Sequence, residues 1–167
     1  MALTWSERLK YNLYLWYFSW TKVRLIHYCR PKIYDITEEG VDLFMPLDRR
    51  TRNHVNSMYI GAMVVGVDMV TGFTAMIRIR ESKRNVILIF KDLKSDFYKR
   101  AEGNVHFICK EGKTITQAVN ETISTGERVN LAVKVIATVP DKFGDEPVAE
   151  FTITLSLKER KIKIING

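Results

Sequence analysis

The strongest constraint on this chain is one apolar stretch. From Ser57 to Ile77, 21 residues carry a single side chain charged at neutral pH, Asp68. A run of that length and composition can cross a bilayer, or it can form a helix that is apolar all round because it lies at the centre of a globular domain. Its flanks favour the second reading. Strand-like segments lie on both sides and need to share one core. The pattern therefore predicts a buried central helix over Ser57–Ile77 with one acid at its middle.

The remaining elements fit around that helix. Thr4 to Cys29 reads as one helix, capped by Ser6, dense in Leu9, Leu13, Trp16, Phe18 and Trp20, and ended by Pro31. Its aromatics do not sort onto one face. That favours packing over the domain or a partner subunit, against an interfacial membrane helix with Lys10, Lys22 and Arg24 at the headgroups. "KIYDITEEGVDLFMPL" reads as two strands around a turn at Glu38-Glu39-Gly40, and "DRRTRNHVN" as a polar loop. "RNVILIFKDLKSDF" reads as a strand fully buried over Val86–Phe90. "GNVHFICKEG" is a further strand, "KTITQAVNETISTGE" a helix ending at Gly126, and "RVNLAVKVIATV" and "EPVAEFTITLSLKER" alternate as an antiparallel pair around Pro140–Pro147. The fold class is α+β, an antiparallel sheet curved around the apolar helix. Residues 1–30 form an N-terminal helical extension, and 31–167 a single domain of a size that sustains its own core.

The 26 Lys and Arg against 19 Asp and Glu give a net charge of +7, which favours an anionic partner. No aromatic-basic nucleic-acid module accompanies it, so nucleic acid is not expected. The two cysteines, Cys29 and Cys109, make no disulfide framework and suit a reducing, cytoplasmic compartment. The N-terminus shows no basic segment leading into a clean apolar run, so no signal peptide is expected. No Cys or His cluster has ligand spacing, so neither a metal nor a resident cofactor is expected. His27, His54 and His106 are scattered and read as structural or solvated.

Chemistry concentrates at the apolar helix. Asn53 and Ser57 precede it, Gly61 lies in its first turn, and Asp68 follows Gly61 by seven residues on the same face. Free N–H groups and the dipole at a helix start can hold a developing oxyanion. A carboxylate nearby can activate water or attack a carbonyl. The plainer roles are an N-cap for Ser57, a loop cap for Asn53, close packing at Gly61 and Gly66, and a bonded structural acid for Asp68.

These residues also carry a resemblance. "NHVNSMYIGAMVVGVDMVTG" resembles the central-helix motif N-x-x-G-x-x-H-G-G-x6-D of hotdog-fold acyl-CoA thioesterases of the phenylacetate-pathway type, and most of all their uncharacterised thioesterase-like branch. "RPKIYDI", "PLDRRTRNHVNSMYIGA" and "EPVAEFTITLSLK" are similar to segments of that branch, so the likeness runs from about Cys29 to Lys158. It implies a hotdog homodimer joined edge to edge, sometimes a dimer of dimers, with active sites at the dimer interface. It implies Asp68 as general base or nucleophile, Asn53 orienting water or thioester, and the backbone N–H groups of Ile60 and Gly61 polarising the thioester carbonyl. Ser57 and Tyr59 would meet the substrate. Arg49, Arg50 and Arg52 would meet the phosphates of coenzyme A, which enters only as part of the substrate. Asn56, Tyr59 and Ile60 stand where the motif has Gly, His and Gly, and "VILIF" supplies no hydroxyl from the following strand. Those departures leave a second reading open, a non-catalytic acyl-binding or assembly protein on the same fold.

Overall fold

The computed structural model describes residues 3–160. Helix α1 (Trp5–Thr21) and the short α2 (Arg24–Cys29) lead into β1 (Lys32–Ile36) and β2 (Val41–Met45). The long helix α3 (Ile60–Ser82) is followed by β3 (Val86–Phe97), β4 (Val105–Cys109), α4 (Gly112–Thr125), β5 (Val129–Thr138), the single turn α5 (Pro140–Phe143) and β6 (Pro147–Glu159). The six strands form one antiparallel sheet in the order β1-β2-β4-β5-β6-β3. Its inner face packs along α3, which touches β2, β3, β4, β5 and β6.

The central helix is apolar because the sheet surrounds it. Of its most apolar stretch, 67 % is buried inside the fold. Val67, Val70 and Phe73 from α3 meet Phe107, Leu155 and Phe151 from the sheet in one continuous core. Gly66 marks a tight approach of sheet to helix. A Cβ there would stand 2.3–2.6 Å from three ring atoms of Phe107, so only a glycine lets β4 settle on the helix.

The N-terminal region is two helices rather than the one expected. Val23 takes an extended φ of −138° between them, and Lys22 closes α1 by donating its N–H to the Phe18 carbonyl. Thr4, not Ser6, caps α1. Its hydroxyl accepts from the Glu7 N–H while its own N–H donates to the Glu7 carboxylate at 3.0 Å, a reciprocal capping box. The helix lies across α3 through Tyr11 and Tyr14, whose rings meet Phe73 at 6.2 and 6.1 Å. Asn12 anchors it to the sheet. Its amide donates to the Ile33 carbonyl at 3.0 Å and accepts from the Ile33 N–H at 2.9 Å, doing for β1 what a neighbouring strand would do.

The central helix begins at Ile60 and ends at Ser82, three residues later and five residues further than the pattern predicts. Its start is displaced because residues 53–57 close a tight loop of their own. Its end is extended because Arg78 donates to the Thr37 and Glu38 carbonyls and carries the helix past Ile77. The expectation of a fully buried Val86–Phe90 also fails. Strand β3 is an edge of the sheet, and Ile87 and Ile89 point outward while Val86 is buried. An all-apolar run hides the two-residue alternation that would have revealed this. A bulge between Phe90 and Leu93 bends the strand midway.

Candidate functional site

The site is built on α3 and the loop before it. That loop is pinned from both sides. The Thr51 hydroxyl donates to the Pro46 carbonyl at 2.6 Å and accepts from the Asp48 N–H, and the Thr51 carbonyl accepts the Tyr59 N–H at 2.7 Å. The Met58 N–H donates to the Ala101 carbonyl at 2.8 Å. Asn53 then folds the chain back on itself. Its side-chain oxygen accepts from the Val55 and Ser57 N–H groups at 3.0 and 3.1 Å, and its amide donates to the Ser57 hydroxyl at 3.0 Å. Asn56 sits within this turn at φ +60°. That is why Asn can stand where the resembled motif has Gly, since Asn tolerates the left-handed region better than most residues.

Ser57 is therefore not the helix cap. It is buried and bonded to Asn53, and Tyr59 occupies the cap position with no side-chain hydrogen bond. The N–H groups of Ile60 and Gly61 have no acceptor among the described residues. They are left as orphan donors at the positive end of a 23-residue helix. The Tyr59 ring folds back against Gly61, where a Cβ would stand 2.4 Å from its Cε1. Gly61 thus makes room for an exposed aromatic side chain, not for a strand.

Asp68 faces the other end of the arrangement. Its carboxylate is half-buried and makes no hydrogen bond or ion pair among the described residues. Burial pushes its pKa up from the ordinary carboxylate value, with no neighbouring charge to offset the cost. Among the described residues the structural alternative for Asp68, an acid bonded to donors or to a buried Arg, is not met. Instead Asp68 lines a groove of about 1060 Å³ between α1, α2, α3 and β3. Tyr14 and Phe18 form one wall, Val86, Leu88 and Phe90 the other, and Lys10 and Arg80 stand among the lining residues. Gly72, one turn beyond Asp68, opens the groove floor. A Cβ there would only touch the Phe90 ring at 3.6 Å and the Asp68 carboxylate at 3.9 Å.

The structure separates the two halves that the sequence placed together. The orphan donors and Asp68 share a face of α3, yet seven or eight residues of helix put them about 10–12 Å apart. One chain alone cannot bring both against a single carbonyl. Of the three arginines, Arg50 is engaged by Asp48 at 3.3 Å and lies over the Tyr28 ring. Arg49 and Arg52 are exposed and have no partner among the described residues. His106 is structural, bonded to Asp42 at 2.9 Å, and His27 lies against Trp16 and Trp20, while His54 is exposed. Among the described residues no group of His, Cys, Asp and Glu has metal-binding geometry. The groove walls from α1 and from the inner face of β3 were missed in the sequence. The all-apolar run 86–90 carried no alternation that could have separated the groove-facing residues from the outward ones.

The helix within an antiparallel sheet is the hotdog fold, and solved structures share it. A protein of unknown function from Pseudomonas aeruginosa, described as a probable thioesterase, is 20 % identical, with a TM-score of 0.71 over 89 % of this chain and 95 % of its own. A protein of unknown function from Chlorobaculum tepidum is 10 % identical, with a TM-score of 0.77 over 92 % and 97 %. A thioesterase from Haemophilus influenzae is 10 % identical, with a TM-score of 0.64 over 94 % of each chain. No curated protein matches the chain. Residues 16–157 match a family described as a domain of unknown function, DUF4442, and the chain belongs to that family.

Proposed function

We propose that this protein is a thioesterase acting on acyl-CoA, with Asp68 as general base in a site completed by a second copy of the chain. The observation that carries the proposal is the unpaired Asp68 carboxylate in an apolar groove. A raised pKa on a carboxylate in a cleft is a property of catalytic acids and bases. The groove has the volume of a small-molecule site and apolar walls suited to an acyl or aryl group. Fold neighbours described as thioesterases support the same reading.

In the proposed reaction Asp68 takes a proton from water as that water attacks the thioester carbonyl. The N–H groups of Ile60 and Gly61 from the second copy hold the oxyanion. The tetrahedral intermediate collapses, the C–S bond breaks, and the proton held on Asp68 passes to the leaving thiolate. Arg49 and Arg52, without side-chain partners among the described residues, would receive the coenzyme A phosphates. Asn53 positions the loop that presents the helix start, because its side chain is already occupied by Val55 and Ser57. The second copy would join at β3, whose outer edge has no strand beside it among the described residues and which exposes Ile87 and Ile89. Two unpaired buried thiols fit a cytoplasmic setting, where acyl-CoA is made and used. The motif resemblance to the phenylacetate-pathway type makes aryl-acetyl thioesters a natural part of any substrate panel.

The test is free-thiol release from a panel of acyl- and aryl-CoA thioesters. Loss of a general base lowers turnover by roughly 10²–10⁴-fold, so Asp68→Asn should fall by that factor. Equal rates in the two proteins would remove Asp68 from the mechanism. A second reading is acyl binding without turnover, favoured by the Tyr59 ring packed against Gly61 at the helix start. Thermal shifts with non-hydrolysable acyl-CoA analogues, combined with no thiol release from any thioester, would select it.

A further inference from the structure

We propose that the outer face of α1 and α2 docks the protein on an anionic lipid bilayer. Helix α1 is apolar on two sides. Leu15 is buried inward, and Tyr11 and Phe18 pack against the core beside it. The second side is open to solvent, with only His27 edge-on to Trp16 and Trp20 and Arg24 over Trp20 along it. Trp5, Leu9, Leu13, Trp16 and Trp20 are 46–79 % exposed. Their spacing of four, four, three and four residues places them within roughly 80° of the helix circumference, in a row about 22 Å long. The aromatics that do not sort onto one face in the sequence therefore sort onto two, one used by the core and one left open. Leu25 and Tyr28 of α2 are exposed as well, the Tyr28 ring beneath the Arg50 guanidinium. A continuous exposed patch of this kind marks an interaction surface.

Charge identifies what it meets. Residues 1–32 carry six basic side chains (Arg8, Lys10, Lys22, Arg24, Arg30 and Lys32) against one acid, Glu7. That is five of the seven net positive charges of the whole chain. Arg24 lies over the Trp20 ring at 5.4 Å, so cation and aromatic present one surface. Pairing this face with its own copy would set two basic surfaces together, whereas an anionic bilayer supplies the missing charge. Trp combines an apolar ring with a polar N–H and suits the boundary between headgroups and chains. A helix with Trp and Leu on one side and Lys and Arg beside them lies in that plane. The inference stands independently of the thioesterase reading.

All three tryptophans of the chain are in this row, so the protein carries its own probe. Full-length protein should float with phosphatidylcholine vesicles containing phosphatidylserine, and its tryptophan emission should shift to the blue. Vesicles of phosphatidylcholine alone should capture far less. Leu13→Glu, at an exposed position, should keep the native melting curve and lose flotation. Lys22→Gln with Arg24→Gln should lower the partition coefficient about thirtyfold, from the usual contribution of a cation near an anionic surface. Wild-type protein that stays at the bottom of the gradient with unshifted emission overturns the proposal. So does a Leu13→Glu variant that floats as wild type, or a concentration-dependent dimer that Leu13→Glu abolishes while vesicles capture nothing. Thiol release in vesicle-free buffer reports separately on the catalytic reading.

Discussion

Two glycines on the central helix should respond oppositely to one methyl group. At Gly66 a Cβ would fall 2.3–2.6 Å from the Phe107 ring, which is fully buried on β4 and cannot swing aside. Overpacking of a rigid core site costs about 3 kcal/mol at the upper end, and removing a helical glycine returns about 1. Gly66→Ala should therefore lose about 2 kcal/mol, or about 4–8 °C in melting temperature for a domain of this size. At Gly72 the same methyl meets Phe90 at 3.6 Å, ordinary contact distance, on the side facing the groove. Gly72→Ala should keep the propensity gain of about 0.5–1 kcal/mol and melt about 1–4 °C higher. Urea and thermal unfolding of both variants, with Phe107→Leu added to Gly66→Ala as a partial rescue, measure this directly. If Gly66→Ala melts at or above wild type, the sheet does not close on α3 as described. If Gly72→Ala melts well below wild type, the groove side of the helix is not open.

Asp68→Asn should gain stability at neutral pH while losing activity. Burial raises the folded pKa, so the fold holds the proton more tightly than the unfolded chain and loses stability as pH rises through that value. The gain over wild type should close as pH drops below the ordinary carboxylate range, as chemical denaturation across acidic pH would show. Because the base acts ionised, kcat/KM should rise with pH through the same raised value. Asn56→Gly should leave stability nearly unchanged, whereas Asn56→Ala should cost about 1 kcal/mol for its left-handed φ, read from urea midpoints. Cys109, pushed up to about 11 by burial, and the buried Cys29 should resist thiol reagents in the native protein and react only as it unfolds.

What was legible in the sequence followed from periodicity. The apolar run of α3, the alternation of β5 and β6, and the glycine at the end of α4 each have one local cause. The misread elements depend on neighbours in space. Whether Val86–Phe90 is central or an edge is set by strand order, which no residue of that run encodes. Thr4 and Ser6 are both competent caps, and only the reach of Glu7 back to Thr4 chooses between them. Asp68 was readable as an acid out of place, but the distance between it and the orphan N–H groups needed the helix in three dimensions. The groove walls come from α1 and β3, far apart in sequence, and no spacing rule joins them.

The amide of Asn12 has a consequence for assembly. By holding both backbone groups of Ile33 it occupies part of one outer edge of the sheet, leaving the β3 edge at the other side as the longer free one. A sheet sticky on both margins can polymerise without limit, but one sticky on a single margin can add one more sheet and then has nothing left to offer. A single carboxamide on a helix thus helps to set where growth stops, and Asn12→Ala would be expected to show its effect as rising turbidity at high concentration well before any loss of fold.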